Sequence, residues 1–445
     1  MFSTIVLCIL GFIFILRNLI VLGDLHGFGP GKQSWDFVEV RPGAHMFYWL
    51  YYTTASDEDY SERPLIIWLQ GGPGGSSTGY GNFAEIGPLH VDLRPRQHSW
   101  VNRFNVLFID NPVGAGFSYV EEPVLFAKNN AEIAGDLVHF MMEFYQVHPE
   151  FSKSPLHVFS QSYGGKMAAE FALNLDRAIK EGRIDCDLRS VALGAPWISP
   201  EDSVLSWGDF LLNLGFVDTK GHFVIQSTAE DIQDLIRSNQ HRRATEVWRS
   251  LESIILNETF GIDCYNVLLP QKFGGVEKRS VGDDDREDLI IGETSHYHLN
   301  PPQTKLERLM RGTVSETLQI PAHVRWGSQR EQVFEAIAED FMKPVTSTVE
   351  LLLNSTDLDV IVYTGQLDLV VCTPGTVRWV ENLRWPGRED YLAAPRVGMG
   401  SLGILEGYEK RFDRLAMYWI NRAGHMAPID NPNAMQYILD KHVGA

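Results

Sequence analysis

The sequence predicts an α/β fold in which a mostly parallel sheet is interrupted by a mainly helical insertion. Three observations support this prediction. Short apolar segments, punctuated by Gly and Pro, begin near residue 36 and are typical of strands. Helical stretches at about 127 to 147 and 163 to 180 alternate with these strands, as in a doubly wound parallel sheet. Residues 200 to 345 contain amphipathic helical stretches instead.

The candidate strands are rich in aliphatic and aromatic residues. In chain order they are HMFYWLYYT, PLIIWL, NVLFID, PLHVFS and VALGAPWI, followed after the insertion by LDVIVYTG and RLAMYWI. The insertion includes AEDIQDLIRS, HRRATEVWRSLESIIL and an acidic segment, VGDDDREDL, which we expect to be an exposed loop. We therefore predict a core made of residues 24–199 and 346–445, with residues 200–345 packed on it as a lid.

Composition restricts the class of protein. The 445 residues are 44% hydrophobic and 11% aromatic, enough for a large core, so overall disorder is not expected. The formal net charge of -19 repels phosphate backbones and anionic lipid headgroups. A nucleic-acid partner is therefore not expected.

The first 23 residues are strongly apolar and end in small Gly23 before Asp24, which predicts a signal peptide at 1–23. The alternative is an uncleaved membrane anchor, since the stretch is about long enough to span a bilayer. Asn257 and Asn354 begin glycosylation sequons. The sequence thus predicts a secreted or lysosomal glycoprotein, with membrane association only if the segment is retained.

Four cysteines are too few for a disulfide scaffold. Cys8 lies in the predicted signal peptide, so Cys186, Cys264 and Cys372 allow at most one intramolecular disulfide, whose pairing stays open. Their long spacings do not resemble a zinc site. We predict neither a metal nor another cofactor.

A candidate nucleophile lies in LHVFSQSYGGKMAAEFAL, where a strand, a tight turn and a helix follow one another. Ser162 is at the turn, with small Ser160 and Gly164 two residues to either side. This is the nucleophile elbow of α/β-hydrolases, although Ser160 replaces the usual glycine. The small neighbours allow a strained backbone that projects the hydroxyl outward.

A serine nucleophile requires a base, and the base requires an orienting carboxylate. Asp368 follows the strand VIVYTG, and His425 lies in the later segment AGHMAP. The chain order Ser162, Asp368, His425 is the order expected for a triad in an α/β-hydrolase. The predicted fold is therefore an α/β-hydrolase with a helical insertion.

The segment QGGPGGSS follows the strand PLIIWL, where hydrolases place an oxyanion loop. Its Gly72 and the residue after the nucleophile, Tyr163, are the candidate N–H donors to the oxyanion. A glycine-rich phosphate loop is the competing interpretation, but no GK[ST] follows.

Together these motifs resemble the serine carboxypeptidase family over about residues 35 to 435. The resemblance is carried by WLQGGPGGSS, FIDNPVGAGFSY, SQSYGG and AGHMAP, and within the family SVLSWG, EDFMKPV and GQLDL look most like the retinoid-inducible branch. It implies release of C-terminal residues from peptides and proteins, usually in acid, with recognition of the terminal carboxylate.

The resemblance also implies a site for the substrate carboxylate, formed by Trp68, Gln70, Gly71, Glu85 and Gln161. The chain departs from the broader family in this region. Gln70 stands where that family has Asn, Gln161 where it has Glu, and Gly75 where it has Cys. Gln161 thus places a neutral amide beside the nucleophile.

The expected function is a serine-type carboxypeptidase that forms an acyl-enzyme on Ser162 and acts on peptides or proteins with a free C-terminus. An acyltransferase or an esterase could use the same triad, because an alcohol or amine can also resolve an acyl-enzyme. A third alternative is a non-catalytic binding protein of the same fold. A homodimer is possible, and the sequence leaves it open.

Overall fold

Residues 27–55, 60–269, 303–401 and 403–444 are described by the computed structural model of the chain. The predicted signal peptide and the acidic segment VGDDDREDL lie outside these residues.

The described strands form one mixed sheet of eleven strands. They are β1 (Gln33–Arg41), β2 (Ala44–Tyr51), β3 (Leu65–Leu69), β4 (Asn105–Ile109), β5 (Tyr119–Val120), β6 (Pro155–Gln161), β7 (Asp187–Gly194), β8 (Asp359–Gly365), β9 (Val397–Ser401), β10 (Ile404–Phe412) and β11 (Leu415–Ile420). Their order across the sheet is β1-β2-β4-β3-β6-β7-β8-β11-β10-β9, and β5 pairs with β2.

The centre of the sheet is parallel and its edges are antiparallel. Strands β4, β3, β6, β7, β8 and β11 run parallel to one another. At one edge β1 and β2 are antiparallel, and at the other β9 and β10 are antiparallel. The predicted parallel centre is confirmed. The antiparallel edges were not predicted, because residue patterns do not give the direction of strand pairing.

Central strands are apolar throughout because both faces of the sheet are covered. All five residues of β3 are buried. Side chains alternate between the faces of a strand. Accordingly, Leu65, Ile67 and Leu69 pack in one hydrophobic core and Ile66 and Trp68 in the other. The sheet thus separates two cores, and its strand ends are left to form a site.

The described helices flank the sheet and form the insertion. They are α1 (Asn130–Val147), α2 (Tyr163–Lys180), α3 (Pro200–Asn213), α4 (Thr219–Arg237), α5 (His241–Thr259), α6 (Lys305–Leu309), α7 (Ser315–Thr317), α8 (Glu331–Phe341), α9 (Thr346–Ser355), α10 (Thr373–Glu381), α11 (Arg388–Ala393), α12 (Ala427–Asp430) and α13 (Pro432–His442). Two π-helices span Ser77–Ile86 and Met310–Val314, and short 3₁₀ turns span Tyr60–Glu62, Trp100–Asn102, Pro123–Leu125 and Pro149–Phe151. None of the described helices is both long and apolar enough to cross a bilayer.

Helix α2 has the predicted bounds, whereas α1 begins at Asn130 rather than near 127. The later start has a local cause: the side chain of Asn129 accepts the main-chain N–H of Glu132 at 2.9 Å and caps the helix.

Between β7 and β8 the described chain forms helices α3 to α9 and no strand. This region is joined to the core beneath the predicted nucleophile. Lys166 in α2 is fully buried, and its Nζ donates to the main-chain oxygen of Lys343 at 2.8 Å and to that of Asp340. The predicted role of the region as a lid stays a prediction.

Candidate active site

Ser162 lies between the last residue of β6 and the first residue of α2 and has a strained backbone. Its φ of 61° and ψ of -128° are rare for a residue with a side chain. Such strain costs about 1–3 kcal/mol and persists only where neighbouring structure enforces it. Here the N–H of Ser162 donates to Gly194 O at 2.8 Å, and Ser162 O accepts the N–H of Gly165 at 2.9 Å and of Trp197 at 3.0 Å. Ser162 is partly exposed although both its chain neighbours are buried, so the turn presents its hydroxyl.

The small residues beside Ser162 are needed for two different reasons. A Cβ on Gly164 would lie 2.3 Å from Leu69 O, so no side chain fits there. Ser160 is buried, and its hydroxyl donates to Ala192 O at 2.9 Å. The departure from glycine at 160 is therefore accommodated, because the added polar atom has a partner.

Asp368 and His425 form a buried hydrogen-bonded pair. His425 Nδ1 lies 2.8 Å from Asp368 Oδ2, and Asp368 Oδ1 accepts the N–H of Val371 at 3.1 Å. The two residues follow β8 and β11, which are parallel neighbours, so their loops meet at the carboxyl edge of the sheet. Ser162 follows β6 at the same edge. In the described part of the chain, His425 is hydrogen-bonded to Asp368 and not to Ser162. Catalytic hydrogen bonds often tighten only when substrate binds.

A short segment after α5, residues 263–267, lies against both loops, and we call it the strap. The main-chain oxygen of Cys264 accepts the N–H of Leu369 at 3.0 Å. The main-chain oxygen of Tyr265 accepts the N–H of His425 at 2.7 Å, and the two rings form a T-shaped pair with centroids 5.2 Å apart. Sequence reasoning missed the strap, because main-chain acceptors have no residue-type signature.

The glycine-rich loop after β3 approaches the predicted nucleophile closely. A Cβ on Gly71 would lie 2.6 Å from Ser162 Cβ and 3.0 Å from Tyr163 N, so only glycine fits. The next residue, Gly72, has φ +114°, a conformation that favours glycine, and it is partly exposed. The loop therefore brings Gly72 into the neighbourhood of the Tyr163 N–H group.

Asp110 fixes the far end of this loop, and sequence reasoning did not identify it. Its buried carboxylate accepts four hydrogen bonds, from Ser76 Oγ at 2.8 Å, Thr78 N at 3.0 Å, Thr78 Oγ1 at 2.8 Å and Phe117 N at 2.8 Å. Ser76 and Thr78 lie at the start of the π-helix Ser77–Ile86. The signal that could have identified it is an acid directly after a buried strand, in FIDNP.

The side chains predicted to bind a carboxylate form one buried chain of hydrogen bonds. Trp68 Nε1 donates to Gln70 Oε1 at 2.8 Å, and Gln70 Nε2 donates to Glu85 Oε1 at 3.0 Å. The side-chain amide of Gln161 is oriented with its nitrogen towards Glu85, the orientation in which it forms hydrogen bonds. Gln161 Nε2 then lies 3.2 Å from Glu85 Oε1 and 2.5 Å from Glu85 Oε2. Each of these side chains is at most 2% exposed. Trp68 is thus both a core residue and the partner that orients Gln70.

Burial raises the pKa of Glu85 to about 8. The hydrogen bond from Gln70 and the charge of Arg96 oppose this shift, whereas the charge of Asp430 adds to it. Glu85 is therefore protonated in acidic and neutral solution, and a protonated carboxyl can donate a hydrogen bond.

Cys186, Cys264 and Cys372 are buried free thiols in the described structure. Burial raises the pKa of Cys186 and of Cys372 to about 12. These two thiols are thus poor nucleophiles at neutral pH.

A family model for serine carboxypeptidases, peptidase S10, matches residues 26–444. The retinoid-inducible serine carboxypeptidase of Homo sapiens is 43% identical over 404 residues, which cover 90% of this chain and 89% of that protein. Serine carboxypeptidase-like 51 of Arabidopsis thaliana is 37% identical, with 90% of each chain covered. The crystal structure of a prohormone-processing carboxypeptidase from Saccharomyces cerevisiae superposes with a TM-score of 0.77 at 21% identity, over 93% of this chain and 91% of that one, and shows the same fold. The chain therefore belongs to the serine carboxypeptidase family and is a serine-type carboxypeptidase that acts on peptides.

Proposed function

We propose that Ser162 is the nucleophile of this carboxypeptidase, with His425 as its base and Asp368 as the residue that orients the base. The observation that carries the proposal is the 2.8 Å contact between His425 Nδ1 and Asp368, at the sheet edge where Ser162 occupies its strained turn. Asp368 accepts the Nδ1–H, which leaves Nε2 free to accept the proton of the serine hydroxyl.

In the proposed reaction, Ser162 Oγ attacks the carbonyl carbon of the last peptide bond while His425 accepts the hydroxyl proton. The negative charge that develops on the carbonyl oxygen is stabilised by the N–H groups of Gly72 and Tyr163. As the C–N bond breaks, His425 returns the proton to the leaving amine. Water then attacks the acyl-enzyme, again with His425 as base, and releases the shortened peptide.

The buried chain around Glu85 is the proposed receptor for the terminal carboxylate of the substrate. A protonated Glu85 carries no charge that would repel this group, and its O–H can donate to it. The Gln161 amide has two N–H groups, so it can donate to Glu85 and to the substrate at the same time. The Gly71 N–H is a further candidate donor, while Trp68 and Gln70 hold Glu85 in place.

The neutral side chain of Gln161 is important for this binding mode. An ionised glutamate in that position would place a negative charge beside the bound carboxylate. Two like unit charges about 4 Å apart cost on the order of 4 kcal/mol at an effective dielectric of 20. Gln161 avoids this cost at every pH.

The location of the protein in the secretory pathway belongs to the same proposal. Asn257 and Asn354, the two sequon asparagines, are both exposed, so oligosaccharyltransferase could glycosylate both sites. Together with the apolar segment at 1–23, they support a secreted or lysosomal glycoprotein. Treatment with peptide N-glycosidase should therefore reduce the mass of the protein recovered from its native source, and an unchanged mass would contradict glycosylation.

The decisive experiment compares wild type with Ser162→Ala on a peptide with a free C-terminus, followed by mass spectrometry. Wild type should shorten the peptide stepwise from its C-terminus and react with a fluorophosphonate. Ser162→Ala should lose activity by about a millionfold, as expected for removal of a triad nucleophile.

Ser160→Gly is the matched control, because it changes the neighbouring serine and keeps the elbow; it should remain active. Residual activity of Ser162→Ala within about tenfold of wild type would refute the assignment. Turnover of esters alongside intact peptides would instead favour the esterase alternative. Failure of wild type to react with the fluorophosphonate would favour a binding protein.

A further inference from the structure

Asp430, at the end of α12, lies between the loop that carries His425 and the buried carboxyl of Glu85. Its Oδ2 accepts the main-chain N–H of Gly424 at 2.7 Å. Gly424 directly precedes His425, so this hydrogen bond restrains the main chain from which the imidazole projects. A hydrogen bond to an ionised acceptor is stronger than one between neutral groups.

The same oxygen of Asp430 accepts Nδ2–H of Asn266 at 3.1 Å. Asn266 belongs to the strap, which is also bonded to His425 and to the loop of Asp368. The packing here is tight: a Cβ on Gly424 would lie 2.1 Å from Tyr265 O and 2.7 Å from Asn266 Cβ. A shift of Asp430 would therefore move the strap and the histidine loop together.

Asp430 also acts on the carboxyl site through its charge. The short helix α12 packs against the π-helix Ser77–Ile86, which contains Glu85. The charge of Asp430 disfavours the ionised form of Glu85, and the charge of Arg96 favours it. Glu85 otherwise faces the amides of Gln70 and Gln161, and Tyr363 is within electrostatic range.

We propose that Asp430 is a positioning residue that joins the two halves of the active site. It holds Gly424, and through it His425, in place for proton transfer from Ser162. Its negative charge disfavours a second negative charge on Glu85, which keeps the O–H of Glu85 available to donate to the terminal carboxylate of a substrate. The second role rests on the function proposed for Glu85 above.

Two variants separate these roles, and an exposed aspartate in the neighbouring helix provides a control. Asp430→Asn removes the charge and weakens the bond to Gly424. Asn266→Ala removes the link to the strap and leaves the charge. Asp440→Asn changes an exposed acid that pairs with Arg103. For each protein, kcat and KM are measured on a free-acid peptide from about pH 4 to 9, together with the rate of fluorophosphonate labelling of Ser162.

Asp430→Asn should lower kcat and the labelling rate about tenfold, the rate equivalent of one charged hydrogen bond. It should also shift the alkaline limb of kcat/KM to lower pH, because Glu85 then loses its proton more readily. Asn266→Ala should lower kcat and the labelling rate by about threefold, with the alkaline limb unchanged. Asp440→Asn should match wild type.

An unchanged labelling rate in Asp430→Asn would overturn the positioning role, and an unchanged alkaline limb would overturn the charge role. If Asp430→Asn does not fold, Asn266→Ala decides the positioning role, since a labelling rate equal to that of wild type would refute it. In that case Asp430→Glu is used, because it keeps the acceptor oxygens and the charge. Its kcat/KM should fall at the same alkaline pH as that of wild type, and a fall at a different pH would contradict the charge role. A wild type that reacts with the fluorophosphonate yet never shortens peptides would refute the proposed function rather than the role of Asp430.

Discussion

Two buried carboxyl groups at the same sheet edge have different partners. Asp368 faces the N–H of an imidazole and one main-chain N–H. Glu85 faces two neutral amides in a fully buried region. Asp368 contacts the imidazole of His425, whereas burial raises the pKa of Glu85 to about 8 although Gln70 donates a hydrogen bond to it. Both acids are buried, so their different partners distinguish the role proposed for Asp368, which orients an imidazole, from the role proposed for Glu85, which donates a hydrogen bond.

Replacement of Asp368 by asparagine should reduce activity more than any other change at this sheet edge apart from loss of Ser162. Asp368→Asn should lower kcat about ten-thousandfold, because an amide in this position presents the wrong histidine tautomer. Activity on a standard peptide measures the loss. Asp359→Asn, at the opposite end of β8, is the control and should stay near wild type. A comparable loss in Asp359→Asn would indicate damage to the strand rather than to the triad.

The glycine-rich loop after β3 gives the next largest effect. Gly72→Val should cost about 2.7–4 kcal/mol in the barrier, the value for one lost oxyanion donor, because a β-branched residue cannot keep this backbone conformation. Gly182→Val provides a matched control, since Gly182 also has positive φ, at +71°, but has open space around it. A nearly full rate in Gly72→Val would place the oxyanion donors elsewhere.

A second acid beside Glu85 should have a smaller effect than either of the changes above. In wild type, carboxylate recognition should persist until Glu85 loses its proton near pH 8. In Gln161→Glu, the carboxyl of Glu85 is paired with the introduced carboxyl. This pair loses its first proton at lower pH than Glu85 does in wild type, because the proton that remains is shared and stabilises the single negative charge. The kcat/KM on a free-acid peptide should therefore fall more steeply above about pH 6 than in wild type.

Matched free-acid and amidated peptides, assayed from about pH 4 to 8, separate this effect from general damage. The amidated peptide lacks the carboxylate, so its pH profile should be the same in both proteins. Gln146→Glu adds an acid on the exposed face of α1 and should change neither profile. Identical profiles for wild type and Gln161→Glu on the free acid, or a preference of wild type for the amide, would contradict the proposed recognition.

Much of the site was predictable because its main residues lie at strand ends within short motifs. Ser162 was predicted from the strand, turn and helix around it, and Asp368 and His425 from their order along the chain; their catalytic roles stay predictions. The structure places all three predicted residues at one edge of the sheet. Glu85, in NFAEIGPL, had no such local signal, because its pattern is equally typical of a solvent-facing acid. Only the resemblance to the family singled it out.

The remaining features depend on contacts between distant segments. The strap and Asp430 act through main-chain groups of residues far away in sequence, and such acceptors occur at every position. Strand β9, VGMGS, is rich in glycine and has a poor strand propensity. It is a strand because β10 pairs with it, and tertiary contacts of this kind cannot be read from local composition.

The strand order has a consequence for synthesis on the ribosome. Strand β8 lies beside β7 in the sheet, although residues 195–358 separate them in the chain. The segment with Ser162 therefore emerges first, and Asp368 and His425, its proposed partners, are translated only after the insertion. Until then β7 has an unpaired edge, which is a hazard for aggregation. With the proposed triad, a nascent chain cannot cut its neighbours until the residues after the insertion have been translated, and its sheet stays incomplete for the same interval.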